Sequence, residues 1–391
     1  MRILVASNNR FLMGGIEHHL RMLILGLRER GHDVALVYEN LAPPDVPTID
    51  QGWEGFLSWR YEQGDFPGLL KKLLSWQPDV VYSHGVSLGL ENRLVEHFPT
   101  VLCAHGYFGT CISGSKYRSR LSPKICERRF GPACLALYLP CGCGGLNPLT
   151  MWRFYRQERR RQALLARYRM VLVASRHMQA EYARHGLSPS RLHWTPHFPS
   201  SVRPDLQPPS PRSLSHRILF VARLSWVKGG HLLVDALAQL GGDWVLVVVG
   251  SGPEKEPLQA LAKRRGVRAE FLGQLDTRQL EQQRRTADLA AVPSLWPEPF
   301  GLVGIEAGCV GLPAVGFLNG GIADWLIPGE TGEAPPKGQM TATGLAEAIE
   351  RAVKDPDHYQ RLRVGAWQMA RQFTLERHLD LLVPLLEQAC R

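Results

Sequence analysis

Residues 293–313 read PSLWPEPFGLVGIEAGCVGLP, and this stretch decides how the rest of the chain is interpreted. The apolar run LAAVP (289–293) leads into it and reads as a buried strand ending near Pro293. From Leu302 onward the residues suit a helix, so the stretch is a strand–loop–helix step of an α/β sheet. Two carboxylates, Glu298 and Glu306, stand with seven residues between them (E-x7-E). The backbone N–H groups of Gly301, Leu302 and Val303 would lie at the helix N-terminus, where the helix itself leaves them unpaired. That is an anion site suited to a diphosphate. Glu298 would precede the helix. Glu306, about one turn inside, could accept two hydroxyl hydrogen bonds, for example from a ribose. The spacing alone would equally describe two solvated glutamates; the Pro-Phe-Gly flank and the strand–loop–helix context favour a site.

Working outward, the same alternation recurs. Strand-like runs RILFVAR (217–223), WVLVVVG (244–250), AEFLG (269–273) and PAVGF (313–317) alternate with helical patterns over 231–240 and 254–265. The first half repeats it, with RILVA (2–6), DVALVY (33–38), PDVVYSH (78–84), TVLCAH (100–105) and MVLVAS (170–175). Leu20, Leu23, Ile24 and Leu27 recur at helical spacing within 16–30, with Gly31 as a stop. Near-continuous apolar strands separated by helices predict α/β domains with parallel sheets covered on both faces.

Six prolines (Pro196, Pro199, Pro204, Pro208, Pro209, Pro211) mark a linker over 197–213. The expected organisation is a first domain over 1–196 and a second over 214–370. A terminal helix over 371–391, apolar through Leu379, Leu381, Leu382, Leu385 and Leu386, packs on one of them, the first being the expectation. Such a pair of domains places a cleft at the carboxyl ends of two sheets, where ligands of open α/β folds bind.

A length of 391 residues, 45% hydrophobic and 21% charged, suits two globular domains and excludes a disordered, collagen-like or coiled-coil chain. The net charge of +10 is not spread evenly. Residues 110–170 hold thirteen Lys and Arg (Arg120 among them) against only Glu127 and Glu158, a local +11, while the remainder sums to −1. A charge so localised argues for an anionic acceptor or membrane surface rather than for nucleic acid. Aromatics and arginines interleave over 151–170, which suits an interfacial helix or a solvated helix covering the sheet. The apolar run at Ile3 is too short for a secretory signal, and no run of about 18 apolar residues spans a bilayer. A cytoplasmic protein, peripheral on the inner membrane face in the interfacial reading, is expected.

Five of eight cysteines (Cys111, Cys126, Cys134, Cys141, Cys143) crowd into the same segment. They are not spaced as a paired C-x2-C knuckle. A structural zinc, free buried thiols and disulfides all remain open.

The ordered set GGIEHHLRMLILGLRERGHDVALV (14–37), PDVVYSH (78–84), His105-Gly106, FVARLSWVKGG (220–230), VVGSGPEKEPLQ (248–259), AEFLGQL (269–275), ADLAAVPSLWPEPFGLVGIEAGCVGLPAV (287–315) and GGIADWLIPGETG (320–332) resembles the retaining glycosyltransferases of family 4. The resemblance covers most of the chain. It implies the GT-B fold, two Rossmann-like domains, and transfer of a sugar from a nucleotide-sugar, UDP- or GDP-linked, to an acceptor hydroxyl. It assigns Arg223 and Lys228 to the donor diphosphate, beside Gly301, Leu302 and Val303. Glu298 and Phe300 go to the donor sugar and Glu306 to the ribose. Gly14 and Gly15 form the acceptor and phosphate loop, and His105 is the histidine near the reacting centre. His84 is a weaker candidate. The implied catalytic residues are His105 and Glu298, and no cofactor or DxD-bound metal is required. The acceptor is a saccharide, a lipid-linked sugar or a small molecule. Two departures, WTPHFP (194–199) in place of an Asn-Gly turn and the Cys/Arg-rich insertion after His105 (about 106–170), fall on the acceptor side. A GT-B-like nucleotide-sugar epimerase or phosphorylase, and a non-catalytic carbohydrate or nucleic-acid binder, are the alternatives.

Overall fold

The computed structural model describes residues 1–12, 14–119, 124–200 and 203–391, so Arg120 of the basic segment lies outside the described residues. The chain folds as two compact units, Met1–Ser200 with Leu375–Arg391, and Ser201–Thr374.

The first unit contains β1 (Arg2–Asn9), α1 (Gly15–Glu29), β2 (Asp33–Asn40), β3 (Ser58–Arg60), α2 (Phe66–Trp76), β4 (Val80–Ser83), α3 (Leu88–His97) and β5 (Thr100–Ala104). The insertion follows, with a hairpin of β6 (Tyr117–Arg118) and β7 (Lys124–Ile125), then α4 (Ala133–Cys141) and α5 (Pro148–Leu165). β8 (Met170–Val173), α6 (Arg176–Arg184) and β9 (Leu192–Trp194) complete it. The sheet is parallel, in the order β3-β2-β1-β4-β5-β8-β9. Its central strand is apolar throughout Ile3–Ala6 because both faces are covered.

The second unit contains β10 (Arg217–Val221), α7 (Gly230–Leu240), β11 (Val245–Val249), α8 (Lys255–Arg265), β12 (Arg268–Gly273), α9 (Thr277–Thr286), β13 (Leu289–Val292), α10 (Leu302–Gly308), β14 (Ala314–Gly316), β15 (Gly332–Glu333), α11 (Ala342–Lys354) and α12 (Pro356–Ala370). Its parallel sheet runs β12-β11-β10-β13-β14-β15. The strand order reverses between β10 and β13, and between β1 and β4 in the first unit. Ligands of open α/β sheets bind beyond the carboxyl ends of the strands at such a reversal.

The last helix, α13 (Leu375–Cys390), belongs to the first unit. The apolar stripe of α1 meets Leu379, Leu382 and Leu386 there. A Cβ at Gly26 would stand 2.7 Å from Leu379, so the two helices touch where α1 has no side chain.

The proline-rich segment differs from a free linker. His197 and Phe198 are buried in the first unit. Residues beyond 202 are fastened to the second: the Asp205 N–H donates to the Cys309 carbonyl at 2.8 Å, Trp367 donates to the Asp205 carbonyl at 2.7 Å, and Arg212 pairs with buried Asp288 at 2.9 Å. Proline fixes φ without demanding a free chain, and here it shapes a strap that packs.

Candidate functional site

In the second unit, Lys228 closes a short 3-10 turn after β10, and Glu298 lies in the loop after β13, the two strands at the order reversal. The loops are pressed together. The Leu295 N–H donates to the Val227 carbonyl at 2.8 Å, and Gly229 sits at φ +72° where a Cβ would lie 1.9 Å from the Pro293 carbonyl oxygen. Only glycine fits there on both counts.

This contact brings the Lys228 ammonium to 2.6 Å from Glu298 Oε1. The same oxygen accepts from the Ser294 hydroxyl at 2.6 Å and the Trp296 indole N–H at 2.8 Å. Asn319 backs this loop by donating to the Ser294 carbonyl at 2.7 Å, and the Gly321 N–H holds the Glu298 carbonyl at 2.7 Å. Glu298 is thus a buried carboxylate with one oxygen triply engaged. Its Oε2 makes no hydrogen bond among the described residues and remains able to accept one.

Glu306 lies on α10 and pairs with Arg284 of α9, whose side chain is 1% exposed. Gly301, at φ +83°, caps α10, and the amides of Leu302 and Val303 precede the helix's first internal bond. With only seven residues, α10 offers an anion these local N–H groups more than a long macrodipole. Arg223 is exposed and makes no ion pair among the described residues. The Phe300 ring is buried against Phe373 at 5.4 Å, and its carbonyl accepts from Trp325 at 2.8 Å, so its side chain builds the core beside the site.

In the first unit, His105 follows β5 and His84 follows β4. The His84 Nδ1 and His105 Nε2 atoms lie 2.8 Å apart, one donating to the other. His197 stacks on His105 at 5.0 Å, His19 meets His197 edge-on at 4.9 Å, and His378 meets His19 at 5.4 Å. The His378 Nδ1–H donates to the Pro196 carbonyl at 2.8 Å. Burial pushes His105 and His378 down to about 4 and holds His19, His84 and His197 well below an ordinary histidine, with neighbouring rings adding to the effect in these three. All five are neutral at pH 7, fit to hydrogen-bond hydroxyls rather than to bind anions as cations. A cavity of about 210 Å³ borders His84, Cys103 and His105.

Gly14 precedes α1, and its N–H already donates to Glu17 Oε2 at 3.0 Å. The Asn9 side chain holds the other Glu17 oxygen at 2.9 Å. A carboxylate therefore occupies this turn, and a phosphate there would have to displace it. Gly15 borders open space.

All eight cysteines are free thiols, so the disulfide alternative for 111–143 does not hold. Structural zinc and free thiols are the two readings left for Cys111, Cys126, Cys134, Cys141 and Cys143, whose sulfurs do not form a group of three within 4.8 Å among the described residues. Among the described residues the group offering three ligand atoms within 4.8 Å is His84, Cys103 and His105. Burial first, and then the other four thiols, push Cys143 up to about 12, so the five sulfurs share one neighbourhood. The insertion is packed by Ile112, Phe130, Tyr138 and Tyr155 and by a buried Lys116–Glu181 ion pair at 2.6 Å.

Arg284, the Ser294–Trp296 pair and the histidines at 19, 197 and 378 were not singled out from sequence. The partners of Arg284 and of the histidines lie far along the chain, where no spacing rule reaches, while Ser294 and Trp296 are local to Glu298 but match no spacing signature.

Two units with parallel sheets and loops meeting at the order reversals fit the GT-B fold that the resemblance implies. Comparison with known proteins agrees. The family profile described as "Glycosyltransferase Family 4" matches residues 13–198, and that described as "Glycosyl transferases group 1" matches residues 207–368. A glycogen synthase of Mycobacterium tuberculosis is 28% identical over 94% of this chain and 90% of its own length. A D-inositol 3-phosphate glycosyltransferase of Jonesia denitrificans is 34% identical over 40% of this chain and 39% of its own. Anabaena HepE, solved with UDP and glucose, superimposes with a TM-score of 0.69 at 19% identity, covering 99% of this chain and 100% of its own. The lipopolysaccharide outer core galactosyltransferase WaaB superimposes at 0.70 with 15% identity and 99% coverage of both chains. The two profiles together take in most of the sequence, and the chain belongs to glycosyltransferase family 4.

Proposed function

We propose that the chain transfers a sugar from a UDP- or GDP-sugar to an acceptor hydroxyl with retention of anomeric configuration. The arrangement that carries this reading is Glu298, fixed through one oxygen by Ser294, Trp296 and Lys228 while its other oxygen stays able to accept. Glu298 then takes donor sugar hydroxyls, and Glu306, oriented by Arg284, takes the ribose. Lys228, Arg223 and the amides at Gly301, Leu302 and Val303 meet the diphosphate, where negative charge grows as the glycosidic bond breaks. The acceptor oxygen bonds to the anomeric carbon, the bonding pair departs with the nucleoside diphosphate, and the acceptor proton ends on that leaving group. Neutral His105 hydrogen-bonds a sugar or acceptor hydroxyl, and cationic side chains take the place of a divalent metal. The acceptor is a saccharide, lipid-linked or small-molecule hydroxyl compound beside Gly14 and Gly15.

A thermal-shift screen with UDP-, GDP-, ADP- and dTDP-sugars identifies the donor, since a ligand at about 100 times its Kd adds about 2.7 kcal/mol. Glu298→Ala is expected to lower kcat by about 10²–10³ with the unfolding midpoint preserved. Unchanged turnover, or an inverted anomeric signal by NMR, defeats the assignment.

A further inference from the structure

We propose that the outer face of α5, with the turn before it, is a docking surface for an anionic lipid bilayer. At 3.6 residues per turn, positions 149, 152, 153, 156, 159 and 160 share one side of this helix. The opposite side is committed to the fold. Tyr155, Leu164 and Leu165 are buried, and Met151 and Phe154 pack on the insertion's aromatic cluster. On the outer side Trp152 stacks one ring face on Tyr155 at 6.0 Å and leaves half of its surface open. Leu149 is 79% exposed and Trp152 50%, and Leu146, just before the helix, is 65% exposed. Immediately behind them Arg153, Arg156, Arg159 and Arg160 are all exposed.

The helix has one acid, Glu158, and it is turned inward. It accepts from the Gly109 N–H at 2.6 Å and from Arg161 at 2.7 Å, and is 5% exposed. The outer face therefore carries four positive charges and no negative one. A helix designed only for solvent usually interleaves both signs, and it does not place two leucines and a tryptophan at its most open end. A bilayer uses both halves of this pattern. Leucine and tryptophan enter the headgroup–acyl boundary, and each arginine near an anionic surface multiplies partitioning by about fivefold. Nucleic acid would use the arginines but has no place for exposed leucines, which lack a face for base stacking. No helix among the described residues is long and apolar enough to cross a membrane, so α5 would lie along the surface.

The test is flotation of the full chain with vesicles of phosphatidylcholine alone and of phosphatidylcholine with about one-third phosphatidylglycerol. Its readout is vesicle recovery, so it stands or falls separately from the donor and acceptor assigned above. Recovery is expected only with the anionic vesicles. Arg153→Glu with Arg156→Glu should cut it at least about tenfold. Leu149→Ser with Trp152→Ser should cut it severalfold at unchanged charge. Unfolding midpoints are measured for each variant, and a conservative Trp152→Phe should retain binding. Equal recovery from both vesicle types overturns the proposal. So does wild-type recovery of the Leu149/Trp152 variant, which would leave charge alone at work. Binding to a duplex DNA probe with a steep salt slope, without vesicle recovery, overturns it in favour of nucleic acid.

Discussion

Acid should loosen the first unit through its buried imidazoles. His105 and His378 are held to about 4 by burial, whereas an unfolded histidine titrates near 6.5. Between those values the unfolded chain binds protons that the folded chain refuses, so stability falls as pH drops through the window and is flat above it. For each of these two groups the loss by pH 5 is about 2 kcal/mol, or about 4 kcal/mol together. His19, His84 and His197, lowered in the same sense, add to it. Glu91 and Glu158, raised by burial, act in the opposite sense nearer the carboxylate range, so a histidine variant is needed to isolate the effect. Calorimetry from pH 8 to pH 5 should lower the first unit's transition by on the order of 10 °C, and His378→Phe should flatten that slope. Histidine Cε1–H NMR resonances report the same groups directly. His105 and His378 should titrate with midpoints near 4, and His19, His84 and His197 below the ordinary histidine midpoint. Ordinary midpoints near 6.5 for these five, or an unchanged transition at pH 5, would refute the buried-array argument.

Arg284→Met should raise the donor KM more than it lowers kcat, because Glu306 keeps its charge and loses its orientation. Steady-state kinetics with a fixed acceptor decide it, and an unchanged KM rejects the role. Gly26→Val should destabilise the first unit by about 1–3 kcal/mol, since its Cβ would meet Leu379 within 2.7 Å; denaturant unfolding measures it.

The central strands were legible because burial on both faces writes itself into composition, as in β1, β5, β8 and β11. The edge strands β3 and β9 were not, since SWR and LHW are short and half-exposed and carry little apolar signal. The E-x7-E pair was legible because one strand–loop–helix step holds both carboxylates. Their ion pairings were not. Arg284 is 22 residues from Glu306, and Lys228 is 70 from Glu298, and such pairings are set by sheet order rather than by local spacing. The histidine array draws on α1, three loops and α13, so it exists only once the first unit has closed. Phe300, assigned to the donor sugar by the resemblance, has its ring packed on Phe373, a contact 73 residues away that the motif does not encode.

The two carboxylates, alike in sequence, differ in what holds them, and that difference bears on how a donor would enter. Glu306 is paired with an arginine buried at 1% exposure, which has nowhere else to go, so its orientation is fixed before any ligand arrives. Glu298 is paired with a lysine, a compact charge on a flexible stem whose side chain is 25% exposed. On the proposed reading Lys228 must leave Glu298 to meet the diphosphate. Ser294 and Trp296 would still hold Glu298 Oε1, so the carboxylate keeps its aim after the lysine moves. The resting ion pair thus stores the cation beside its working position without leaving either charge unpaired in a half-buried site. A donor supplies both replacements at once, phosphate oxygens for the lysine and sugar hydroxyls for the carboxylate. A bare nucleoside diphosphate supplies only the first, so a true nucleotide-sugar should gain affinity over its diphosphate in the wild type and lose that gain in Glu298→Ala.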